Sequence, residues 1–239
     1  MDLKKLTLLQ SPADLHTLPA GKLLINTINA HSYNTAKKDT LFAEALAKGD
    51  VLLPDGASIV MAVRWLKGKK IERIAGWDLF IFEMTRLNEK GGTCFFLGSS
   101  DNILEIIKKK VEVDYPKIQV ASYSPPYKTL FTEDESKAMI DAVNAADPNL
   151  LWIGMTAPKQ EKWAYTHSDK LNINGHIGTI GAVFDFYAGT VKRAPLWWQK
   201  HGFEWLYRLL KEPRRMWKRY IIGNTLFIYY IVREKYFNK

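Results

Sequence analysis

A single cysteine, Cys94, stands among 239 residues, which excludes an internal disulfide framework and any metal cluster built on several thiolates. That usage points to a reducing compartment. The stretch from Met1 to His16 holds no apolar run of seven residues, so no secretory signal is expected there. The apolar run Tyr220–Val232 is 13 residues long and contains Gly223 and Asn224, short of the ~20 that span a bilayer. No two glycines lie two positions apart, so the dinucleotide fingerprint G-x-G-x-x-G cannot occur. The P-loop, zincin and G-x-S-x-G motifs are missing as well. No two aspartates lie two apart either, so there is no D-x-D clamp to hold a divalent ion on a diphosphate. Any bound diphosphate would be met by cationic side chains, backbone N–H groups or helix N-termini, and no metal or other cofactor is expected.

What is present is a globular mixture, 47% hydrophobic and 25% charged, with its charge unevenly placed. Residues 1–191 hold 22 basic and 22 acidic side chains, whereas residues 192–239 hold 12 and three, so the whole net charge of +9 lies in the tail. The tail also carries 12 of the 30 aromatic residues, Trp197, Trp198, Trp205 and Trp217 among them. Basic and aromatic together suit an anionic surface with an apolar interior, a description that fits a membrane interface and also nucleic acid.

From Leu23 onward, short β-type runs alternate with helical stretches, the pattern of βα units around a mostly parallel sheet with helices on both faces. Strands are predicted at 23–28, 51–53, 93–97, 119–123, 150–153 and 176–179. Helices are predicted at 35–48, 57–66, 78–88, 103–114, 133–145 and 159–168. Gly49 and Gly68 act as stop signals, Asp101 as an N-cap, and Thr132 with Glu135 as a capping box. After Gly189 the alternation gives way to basic, aromatic helix broken at Pro213. The chain therefore reads as an α/β catalytic domain over 1–190 and an appendage over 191–239.

In a parallel sheet the residues just past the strands hold the chemistry. Here these are Thr27 and Asn29, Asp55-Gly56, Gly98-Ser99, Pro125-Pro126, 154–160 and 178–185. Asp55 is either a helix cap or a general base aimed into a cleft. Thr27 and Asn29 place a hydroxyl and an amide on one side of an extended segment, suited to sugar hydroxyls. Arg73 could meet a phosphate or lie in a surface ion pair, and Asp78 could cap the next helix. The loop from Gly154 ends at Pro158 near a helix start, leaving N–H groups for an anion beside Lys159, with Gln160 facing the cleft. Gly178, Gly181 and Asp185 form a second glycine loop.

Pro54-Asp55-Gly56, Arg73-Ile-Ala-Gly76 with Asp78-Leu79, Ala157-Pro-Lys-Gln-Glu161 with Trp163, Gly181 with Phe184-Asp185 and Ala188-Gly189, Arg193-Ala-Pro195, and Glu204-Trp-Leu-Tyr-Arg208 with Glu212-Pro-Arg-Arg215 together resemble the WecG/TagA/CpsF glycosyltransferases. The resemblance runs from about Thr27 to Arg215. It implies an inverting, metal-independent transfer of a hexose of the N-acetylmannosamine type from a UDP-sugar to a polyprenyl-diphosphate-linked sugar. The setting would be the cytoplasmic face of the membrane, in cell-surface polysaccharide synthesis. Asp55 then matches the proposed base, Thr27 and Asn29 a polar substrate loop, and Arg73 and Gln160 active-site positions. Gly154, Lys159, Gly178, Gly181 and Asp185 fall on the donor side. Met155-Thr156 stands where many members have Leu-Gly, and Thr179-Ile180 interrupts a loop often richer in glycine. Arg208, Arg214, Arg215, Lys218 and Arg219 are expected to meet the lipid diphosphate and an anionic membrane surface, with no nucleic acid partner. The reading is compatible with an oligomer. The rival is a non-catalytic basic module, but polar groups clustered at the strand ends favour the enzyme.

Overall fold

The computed structural model describes residues 1–237, with the side chains of Lys200 and Arg215 outside the description. Six strands form one parallel sheet: β1 (Leu23–Ile28), β2 (Val51–Pro54), β3 (Gly92–Gly98), β4 (Ile118–Tyr123), β5 (Leu150–Gly154) and β6 (His176–Thr179). Their spatial order is β2-β1-β6-β5-β3-β4. Because every pair is parallel, all carboxyl ends share one edge, with Thr27 opposite Leu53, Gly98 opposite Gly154 and Ile153 opposite Thr179. The central strands β3 and β5 are apolar on both faces, as a sheet covered on both sides requires, whereas the edge strand β4 exposes Gln119 and Ser122. Cys94 and Phe96 of β3 enter one core cluster with Leu150 and Trp152 of β5, while Phe95, Leu97, Leu151 and Ile153 enter the opposite one.

The helices that cover the sheet are α1 (Ala30–Ala36), α2 (Thr40–Lys48), α3 (Ala57–Lys67), α4 (Gly76–Lys90), α5 (Asp101–Asp114), α6 (Glu133–Ala146), α7 (Lys159–His167) and α8 (Val183–Ala188). Where the sequence predicts one helix over 35–48, the chain makes two. Asn29 caps α1 by accepting from the N–H groups of His31 and Ser32, and Asp39 caps α2 by accepting from Phe42 N. Two good caps ten residues apart, at 29 and 39, start two helices rather than one. The Thr132–Glu135 capping box of α6 and the glycine stops at 49 and 68 form as expected. Asp101 lies inside the first turn of α5, with Ser100 at the capping position.

Past Gly189 the chain forms α9 (Leu196–Lys200), α10 (Glu204–Lys211), α11 (Pro213–Trp217), a π-type stretch (Lys218–Ile222) and α12 (Gly223–Tyr236). Pro213 sits at the first position of α11, where its missing N–H costs nothing. Whereas α10 buries no residue, α12 returns to the body. There Phe227 and Ile231 join Tyr33, Ile59 and Val63 in a third core cluster. Tyr33 meets the Phe227 ring edge to face at 5.3 Å and donates a hydrogen bond from its hydroxyl to Glu234, which also accepts from Lys4 N at 3.0 Å.

Candidate active site

The site begins with a turn at the end of β2. Asp55 N–H donates to Ile28 O at 2.9 Å, locking the end of β2 to that of β1. Gly56 follows with φ of +153°, a conformation closed to most side chains, and takes the N-cap position of α3 without a side-chain cap bond. A Cβ on Gly56 would come within 3.5 Å of Asn29 Cβ, so the two loops lie in contact. The Asp55 carboxyl is therefore not the cap of α3. Between α3 and α4 the chain runs back along the end of β2, where Ile74 N–H donates to Pro54 O at 3.1 Å. Ile74 is fully buried, and its anchoring draws the preceding Arg73 beside Asp55. Arg73 Nε stands 3.9 Å from Asp55 Oδ1.

Two residues of the tail complete this cluster. Arg73 Nη2 lies 3.4 Å from Glu204 Oε2, and Arg193 Nε lies 3.7 Å from Glu204 Oε1. The Arg193 guanidinium is stacked over the Trp77 ring at 5.5 Å. Asp78 lies inside the first turn of α4, with Ala75 at the capping position the sequence assigned to Asp78, and it spends one oxygen accepting from Ala75 N at 2.8 Å. Desolvation, with Glu204 and Asp78 adding negative charge nearby, pushes Asp55 up from its ordinary 3.8 to about 6 against the opposing pull of Arg73 and Arg193. Above pH 6 such a carboxylate is ionised and still more basic than an ordinary aspartate, the property a general base needs.

A model of the glycosyl transferase WecG/TagA/CpsF family matches residues 2–239. The chain belongs to that family. Among its relatives is the N-acetylglucosaminyldiphosphoundecaprenol N-acetyl-beta-D-mannosaminyltransferase of Bacillus subtilis (strain 168), 31% identical over 82% of this chain and 74% of the relative. The protein of the same name from Staphylococcus aureus (strain MW2) is 27% identical over 98% of this chain and 91% of the relative.

The other residues that this glycosyltransferase sequence singled out fall into three groups. Thr27, Asn29, Asp55 and Arg73 converge at the ends of β1 and β2, although the Asn29 side-chain oxygen is taken up in capping α1. The second group serves the loops themselves. Gln160, expected to face the cleft, is buried, accepting from Met155 N at 3.1 Å and donating to Glu161 Oε1 at 2.8 Å. It braces the loop after β5 from inside, against Gly181 of the loop after β6. A Cβ on Gly154 would strike the Phe184 ring at 2.5 Å, and one on Gly178 the Trp152 ring at 2.2 Å, so aromatic packing accounts for both glycines. Lys159 reaches away, donating to Lys128 O at 2.7 Å over the Phe131 ring. Asp185 lies in α8, where its Oδ1 accepts from Thr190 Oγ1 at 3.5 Å.

The third group is the tail. Arg208 lies over the Phe186 ring at 4.9 Å, next to Asp185, which brings α10 across α8. Lys218 and Arg219 stack on Trp217 and Tyr220 at 5.6 and 5.8 Å, while Arg214 is exposed. The Arg215 side chain lies outside the described residues. Arg193 and Glu204, two central members of the cluster, are not singled out as site residues by the sequence. Their motifs, Arg-Ala-Pro and Glu-Trp-Leu-Tyr-Arg, were the only signal. Among the described residues no group of histidine, cysteine and carboxylate side chains is arranged to hold a metal, and no helix is long and apolar enough to cross a membrane.

Proposed function

We propose that this glycosyltransferase moves an N-acetylmannosamine-type sugar from its UDP donor to a polyprenyl-diphosphate-linked acceptor sugar, with inversion and without a metal. The observation that carries the reading is Asp55: a carboxyl at the carboxyl edge of the sheet, not used as a helix cap, raised to about 6 and flanked by Arg73. The names of the two relatives support the sugar and the acceptor class.

In this reading Asp55 removes the proton from an acceptor hydroxyl as that oxygen attacks the anomeric carbon from the face opposite UDP. Thr27 orients substrate hydroxyls beside it. The glycosidic C–O bond to UDP breaks as the new one forms, and the charge left on the diphosphate is met by Arg73 and by loop N–H groups. The acceptor lies in a lipid leaflet, and the tail docks there. Trp197, Trp205, Trp217, Ile221 and Ile222 are exposed among the exposed cations Lys211, Arg214 and Lys218, a composition that favours an anionic interface.

The test is a transfer assay with a panel of UDP-sugars and a short-chain lipid-diphosphate acceptor, run with and without EDTA. UDP-N-acetylmannosamine should be used preferentially and EDTA should leave the rate unchanged. A strict need for Mg²⁺ or Mn²⁺, or no transfer from any UDP-sugar, overturns the reading.

A further inference from the structure

Arg73 and Arg193 come from distant parts of the chain, yet both present their guanidinium groups to one carboxylate, that of Glu204. The contacts, 3.4 and 3.7 Å, are longer than the 2.7–2.9 Å of a closed charge-assisted hydrogen bond. Neither arginine is tightly satisfied by its partner. The supports of the three side chains also differ. Arg73 is framed by buried Ile71 and Ile74, and Arg193 is held by the Trp77 ring and followed by buried Ala194. Glu204 opens α10, an element with no buried residue. Two cations seated against buried residues thus face one carboxylate on a helix that buries none, and all three side chains are about one-fifth exposed and reachable from solvent.

We propose that the Arg73–Arg193 pair is a diphosphate-binding site and that Glu204 occupies it in this structure as an exchangeable stand-in, so that substrate phosphate and the tail compete for the same two guanidiniums. A diphosphate offers several oxygens across the span that one carboxylate bridges loosely, and each planar guanidinium can close on a pair of them. Exchange releases the first turn of α10. Arrival of the anionic substrate is thereby coupled to freedom of the helix that bears Trp205 and Arg208. The inference rests on the proposed reading, in which a diphosphate is handled beside Asp55, and it adds Arg193 as a binding residue and Glu204 as its competitor.

The experiment measures binding of inorganic pyrophosphate and of UDP to the full chain by calorimetry, using the parent, Glu204→Gln, Arg193→Gln and the double variant. Glu204→Gln should tighten pyrophosphate about three- to tenfold, a gain of the size expected from removing a competitor held by loose ion pairs. Arg193→Gln should weaken it by about tenfold, and in the double variant the gain from Glu204→Gln should largely vanish. In the unsubstituted chain, pyrophosphate should speed amide exchange across residues 204–211, a measurement that does not depend on any variant folding. Unchanged or weaker pyrophosphate binding by folded Glu204→Gln, or unaltered exchange in that helix, overturns the proposal. Normal sugar transfer alongside pyrophosphate binding indifferent to Glu204 removes the exchange and leaves the transfer reading. Absence of transfer with the tightening intact does the reverse.

Discussion

Asp55 and Glu161 are both pushed upward, and they lead to opposite expectations when neutralised. Asp55 faces solvent with about a third of its side chain (32%) and has charged partners, so its proton can be exchanged with a substrate. Asp55→Asn should keep UDP affinity while transfer falls by about 10² to 10⁴, the usual loss of a general base. With the parent, kcat/KM should rise through an acid limb centred near pH 6, because only the ionised carboxylate accepts a proton. Normal turnover by the variant would return Asp55 to a structural role. Glu161, by contrast, is buried with one oxygen on Gln160 and the other, Oε2, unpartnered. Burial raises it from 4.5 to about 7. The folded chain therefore holds this proton more tightly than the unfolded one, and the associated stability is present below pH 4.5 and lost as the pH climbs through 7. Glu161→Gln should accordingly be more stable than the parent at pH 8, by about 1–3 kcal/mol, with the advantage gone near pH 4. Urea titrations at the two pH values check this, and an equal advantage at both would show that the charge is not the cause.

At the scale of elements, the central strands were readable because they are short apolar runs buried on both faces, as Leu150–Ile153 illustrates. The division of the predicted 35–48 helix was harder to see, since Asn29 suits a cap and a sugar-binding loop equally well. Gln160 reads as facing the cleft because it is polar and lies just past a strand-end loop, whereas it is buried against Gly181 of the loop after β6. The Arg73–Glu204–Arg193 cluster joins Arg73 to Glu204, 131 positions later, and no local pattern announces a contact made across the sheet edge. The tail shows a similar split. Its basic character is plain in the sequence, but the return of α12 to the body depends on Phe227 and Ile231 finding the seat around Tyr33. Phe227→Ala should cost about 3–5 kcal/mol by opening a cavity there, measured by chemical denaturation. A loss under 1 kcal/mol would mean that α12 is only lightly held.

For the whole molecule, the charge division sets how it meets a surface. A body with equal numbers of acidic and basic residues gains little from an anionic leaflet, whereas each tail cation near such a leaflet contributes about 1 kcal/mol. The chain should therefore sediment with anionic vesicles and not with neutral ones, and raising salt to about 0.5 M should release it. Equal sedimentation with both vesicle types would show that charge does not drive docking. The link between Glu234 and the turn at residues 2–5 has a separate consequence for how the protein is made. A ribosome delivers that turn first and its partner more than two hundred residues later, so domain folding in order of synthesis cannot finish this part of the core. Until α12 emerges, the apolar seat around Tyr33 stands uncovered on the nascent chain. Premature release of the polypeptide would leave that surface open to other proteins.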